Sequence, residues 1–135
     1  MSVFVDPNKT INLNVKLKYT VNESGEKVFF RVLDEEYEEK ADENIELIEC
    51  KVKYRDYDTM SKILEEATII NHVNAQPMIR MWMFRRLIIL NFFKSWTLKN
   101  EEGNIMSINS DNIGKIQYSV IKLLADKWIK ETTNA

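Results

Sequence analysis

The sequence predicts an α+β protein, with a small N-terminal antiparallel sheet of about three strands packed against a C-terminal three-helix region. Two changes of pattern and one bulk property carry that expectation. Over residues 1–56 apolar and polar residues alternate, the period of a strand with one buried face. From about residue 57 the apolar residues recur at spacings of three and four, the period of an amphipathic helix. The chain is 44% hydrophobic and 30% charged, with only 3 Gly and 2 Pro, which suits a packed core and leaves little material for flexible linkers. At 135 residues it is long enough for one domain, so residues 1–135 are expected to form a single unit, β-rich over 1–56 and helical over 57–135.

The first strand is carried by Ile11, Leu13, Val15, Leu17 and Tyr19, with Asn12, Asn14, Lys16 and Lys18 between them. Asn22, Glu23, Ser24 and Gly25 are turn formers, and residues 28–33 read as a second strand closing a hairpin. Residues 34–43 hold seven carboxylates and one lysine, and suit a loop or a short exposed helix. Ile48, Cys50, Val52 and Tyr54 alternate with Glu49, Lys51 and Lys53 as a third strand. A three-stranded antiparallel sheet then has one face free to pack on helices.

In the second half, Asp58 or Thr59 is placed to cap a helix whose Met60, Ile63, Leu64 and Ala67 share a face. Residues 71–76 are mostly polar and interrupt the pattern, and Pro77 suits the first turn of a new helix running to about residue 95. Residues 99–104 read as a turn and 105–108 as a short extended piece. Asn109 or Ser110 then caps a last helix, to about residue 130, with Ile113, Ile116, Val120, Ile121, Leu124 and Trp128 along one stripe.

Most chemistry is excluded quickly, and the expectation is no catalytic site, no metal site and no cofactor. His72 is the only histidine and Cys50 the only thiol, so any nucleophilic site built on a histidine depends on His72, in a polar connector with no orienting partner. Cys50, at an alternating strand position, is expected in the core. The acids of the 34–49 stretch form a solvated run without the spacing or central glycine of a calcium loop. Neither a P-loop nor a dinucleotide fingerprint occurs. A net charge of -2 and the lack of a binding motif argue against nucleic acid as a partner. No basic region followed by an apolar run opens the chain, so no secretory signal is expected, and a cytoplasmic setting is.

The most informative stretch is residues 77–96. Its apolar residues, Met78, Ile79, Met81, Trp82, Met83, Phe84, Leu87, Ile88, Ile89, Leu90, Phe92, Phe93 and Trp96, cover every face of a helix. Its length approaches a membrane span, but Arg80, Arg85, Arg86, Asn91 and Lys94 are scattered through it, at a cost of a few kcal/mol per charge in a bilayer. Two readings remain: a core helix covered by its own chain, or a helix covered partly by another molecule, either a second copy or a protein client. The methionines favour an adaptable partner surface. The residues expected to bind that partner are Met78, Met81, Trp82, Met83, Phe84, Arg85, Phe92, Phe93 and Trp96. Residues 34–49 carry nine acids and 78–99 five basic residues with no acid, so Arg80, Arg85 and Arg86 are expected to pair with the acidic segment.

Residues 57–129 also resemble a known family. A Trp- and Phe-rich helix ends in Lys94, Ser95, Trp96, Thr97 and Leu98, followed by the acidic-glycine turn Glu101, Glu102, Gly103, Asn104, the extended Met106, Ser107, Ile108, and a long helix. That order resembles the tail assembly chaperones of tailed bacteriophages. The resemblance implies a non-enzymatic factor in the cytoplasm of the infected cell that binds the apolar, helical tape measure protein or another tail protein. The alternative from the same setting is a structural subunit of the virion: a tail, neck or baseplate component. A small inhibitor using the acidic segment to mimic nucleic acid is a third reading, and an enzyme is last.

Overall fold

The computed structural model describes residues 3–34, 36–37 and 43–133. The fold is α+β: a four-stranded antiparallel sheet with helices packed on one face. The strands are β1 (Thr10–Val21), β2 (Lys27–Leu33), β3 (Ile45–Lys53) and β6 (Phe93–Trp96), in the order β2-β1-β3-β6. Alternation positions the core. Leu13, Val15, Leu17, Phe29, Ile48, Cys50 and Val52 all turn to the helices, while Asn12, Asn14, Lys16, Lys18, Glu49 and Lys51 face away. The turn between β1 and β2 is closed by the Asn22 carboxamide, which accepts from the N–H groups of Ser24 and Glu26, with Gly25 at φ 80°.

The sheet exceeds the expected three strands because its fourth comes from the second half of the chain. Residues 77–96 are not one helix. They form β5 (Pro77–Ile79), α2 (Met81–Phe92) and β6, and Pro77 lies in a strand rather than a first helical turn. A continuous apolar run fits buried helix and buried strand equally well, and tertiary pairing decides. Here Cys50 pairs with Trp96 and Lys51 with Ser95, so the backbone leaves the helix at Phe93 to extend the sheet.

Helix α1 (Tyr57–Ala67) is capped by Asp56, two or three residues earlier than expected of Asp58 or Thr59; its carboxylate accepts from the backbone N–H and the hydroxyl of Thr59. The expected last helix is two, α3 (Ser110–Ile113) and α4 (Tyr118–Thr133). Asn109 caps α3 through the Asn112 N–H. Gly114, a weak helix former, ends it, and the Gln117 side chain donates to the Lys27 carbonyl, tying the restart to β2.

One apolar core draws on both halves of the chain. Phe92 stacks on Trp128 at 4.4 Å between ring centres, and the Trp128 indole N–H donates to the Lys53 carbonyl at 2.9 Å. Arg55 covers the same indole at 5.2 Å and donates to the Ile129 carbonyl and the Thr132 and Thr133 hydroxyls, satisfying the C-terminal end of α4. Among the described residues no helix is long and apolar enough to cross a membrane.

Candidate protein-binding surface

Helix α1 runs directly into a hairpin. Thr68 ends the helix by donating its N–H and hydroxyl to the Leu64 carbonyl, then opens β4 (Thr68–Ile70). β4 pairs antiparallel with β5 in a separate two-stranded sheet, Thr68 opposite Ile79, Ile69 opposite Met78 and Ile70 opposite Pro77. The polar connector of residues 71–76 is therefore a hairpin loop. Asn71 organises it: its N–H donates to the Gln76 carbonyl and its side-chain oxygen accepts from the Val73 N–H. The Asn74 side chain accepts from the Gln76 N–H, and Ala75 takes a left-handed conformation at φ 57°. This fixed loop displays Val73, 95% exposed, and His72.

Arg80 joins the hairpin to α2. Its backbone N–H donates to the Ala67 carbonyl, and its guanidinium donates to the Glu66 carbonyl at 2.7 Å. It thus meets the partial negative charge at the end of α1. The same guanidinium lies 5.7 Å from the centre of the Trp82 ring, which fixes an indole that is still 52% exposed.

The result is a concentration of exposed apolar groups within fourteen residues of chain: Ile69, Ile70, Val73, Met78, Ile79, Met81 and Trp82. Of the residues expected to bind a partner, Met78, Met81 and Trp82 are exposed on this stretch. Met83, Phe84 and Arg85 are half-buried. Arg85 is engaged within the fold, donating to Asp126 at 3.1 Å and to the Tyr118 hydroxyl at 3.1 Å, and so clamps α2 to α4. Phe92, Phe93 and Trp96 are corrected outright. They are 1%, 3% and 3% exposed, closed in by the sheet and α4, and are unavailable to a partner in this fold. The Trp96 indole N–H is spent on the Met106 carbonyl.

Ile69, Ile70 and Val73 were missed by the sequence reading. A signal existed, since three β-branched residues (Thr68, Ile69, Ile70), an Asn-rich loop and a second short apolar run spell a hairpin. The arginines expected to pair with the acidic segment have partners elsewhere among the described residues. Arg80 binds the end of α1, Arg85 binds Asp126, and Arg86 donates to the carbonyl and hydroxyl of Ser110. Much of that acidic segment, Glu35 and residues 38–42, lies outside the described residues.

Elsewhere the chemistry is quiet. Cys50 is 2% exposed, and burial pushes its thiol up to about 12, so it sits as a neutral core group. Among the described residues no group of three or more His, Cys, Asp and Glu side chains is placed to hold a metal ion. No family model, curated protein or solved structure matches the chain.

Proposed function

We propose that the chain is a non-enzymatic protein-binding factor, a tail assembly chaperone of a tailed bacteriophage. It holds a hydrophobic, helical client such as the tape measure protein in the cytoplasm of the infected cell. The observation that supports this reading is the apolar surface of β4, β5 and the first turn of α2. Seven large apolar residues are exposed on this stretch, Ile69 and Met78 on one face of the hairpin and Ile70 and Ile79 on the other, and exposed apolar groups gathered on one short element mark interaction sites. Methionines at positions 78 and 81 adapt to varied side chains, and Trp82, steadied by Arg80, serves as an anchor.

Co-expression with the tape measure protein of the same genome tests the proposal. The wild-type chain is expected to keep the client soluble and to co-purify with it. Ile70→Glu together with Trp82→Glu is expected to stay folded and release it. A client that is equally soluble without the chain contradicts the proposal, and a stoichiometric band of the chain in mature particles replaces it with the structural-subunit reading.

A further inference from the structure

The four-stranded sheet ends on β6, and the chain that follows it folds back and then splays away. The Asn100 N–H donates to the Asn104 carbonyl at 2.9 Å, Lys99 bridges Ile105, and the Met106 N–H donates to the Leu98 carbonyl at 2.8 Å. A regular antiparallel ladder would next join Trp96 to Ile108. Among the described residues it stops at Met106. The Trp96 indole N–H takes the Met106 carbonyl instead, and the Asn112 carboxamide holds the Ser107 carbonyl, drawing the chain toward α3. An open groove of about 310 Å³ is left between residues 94–96 and residues 105–108.

The main chain of β6 faces this groove. The Thr97 N–H donates to the Glu49 carbonyl, and Ser95 lies opposite Lys51, so these two residues pair with β3. Hydrogen-bonded pairs alternate along an antiparallel ladder, so Trp96 turns its own N–H and C=O away from β3 and into the groove. An edge strand open in this way is a template on which an extended segment adds as a further strand.

The side chains around the groove define what kind of segment fits. Lys94 stands on its wall, the Lys53 ammonium adjoins that of Lys94, and Lys51 lies opposite Ser95. Lys94 is pushed below the ordinary lysine value, by burial first and by Lys53 second. Among the described residues none of the three lysines is within ion-pair distance of a carboxylate, and one acid, Glu49, shares their face of the sheet. Like charges crowded at an open edge favour an incoming anion. The opposite wall is apolar, with Ile105 exposed and Met106 and Ile108 half-buried.

We propose that the β6 edge is a second binding site, which takes an extended acidic peptide segment of a partner protein as a further strand. The main chain of that segment pairs with Trp96. Carboxylates on its alternate residues meet Lys94, Lys53 and Lys51, and the intervening apolar side chains lie against Ile105 and Ile108. The charges steer the encounter and select the partner, while the main-chain bonds fix its register. The site shares no residue with the hairpin of β4 and β5, so its failure leaves the client-binding reading standing.

The test is an NMR titration of the full isotope-labelled chain with a peptide of about six residues alternating Glu and Val. The Trp96 amide is expected to shift and, at saturation, to exchange with deuterium at least about tenfold more slowly. The same peptide N-methylated at every residue keeps its charges but loses its N–H groups, and is expected not to bind. A peptide with Lys in place of Glu is expected not to bind either. The Lys51→Gln, Lys53→Gln, Lys94→Gln chain, checked for native circular dichroism, is expected to bind the acidic peptide at least about tenfold more weakly. No binding of the acidic peptide overturns the proposal, as does equal binding of the N-methylated or the lysine peptide, or equal binding by the variant. Shifts confined to Ile70 and Trp82, or an oligothymidylate that binds at Trp96 more tightly than the acidic peptide, also overturn it.

Discussion

Four side chains set the chemistry of the molecule at the scale of single residues. Trp82 and Ile70 stand in solvent, while Phe92, ten positions beyond Trp82, is sealed against Trp128. The substitution Phe92→Ala is expected to cost about 3–5 kcal/mol in chemical denaturation, the range for an aromatic lost from a packed core. Trp82→Ala, which removes only half-exposed surface and one cation–π contact, is expected to cost about 1 kcal/mol or less. Cys50 is neutral in the fold. Above the ordinary thiol value of 9.0 the unfolded chain ionises Cys50 while the folded chain does not. Its contribution is therefore neutral below pH 9 and increasingly destabilising as pH climbs toward about 12. Iodoacetamide at pH 8 is accordingly expected to label the native chain far more slowly than the urea-unfolded chain, and equal rates would show that the thiol is accessible. Burial of Cys50 was legible from its alternating position; the difference between exposed Trp82 and buried Phe92 was not, because an apolar residue in an apolar run carries no sign of its direction.

Among the elements, the three N-terminal strands and α1 were readable because each has one wet and one dry face, so period and burial agree. Residues 77–96 have no wet face in sequence, and there period fails. The helix survives only where both neighbours are helices, and Phe93–Trp96 becomes a strand because β3 offers it a free edge. The hairpin of β4 and β5 was hidden by the same ambiguity and by a loop whose order comes from the Asn71 and Asn74 side chains. Ala75 holds that loop at a φ of 57°, which costs an L-residue about 1–2 kcal/mol. Ala75→Gly is therefore expected to leave stability unchanged or raise it by up to about 1 kcal/mol, against the usual loss for a new glycine. A two-stranded sheet standing apart from the main one is marginal alone. Its amides are expected to exchange with deuterium sooner than those of β1 and β3, and equal protection would show that it unfolds with the core.

Across the whole molecule the two exposed surfaces have different characters. The hairpin with the first turn of α2 exposes apolar groups, while the open face of the sheet carries Asn12, Asn14, Lys16, Lys18, Glu49 and Lys51. The central claim is that the hairpin surface binds a protein client. It is tested most directly by titrating the tape measure protein of the same genome, in solubilised form, against the wild type and the Ile70→Glu, Trp82→Glu variant, with both showing the same circular dichroism and thermal midpoint. Binding at least about tenfold weaker in the variant is the predicted result, since two exposed apolar anchors are lost. Equal binding by the two folded proteins would contradict it.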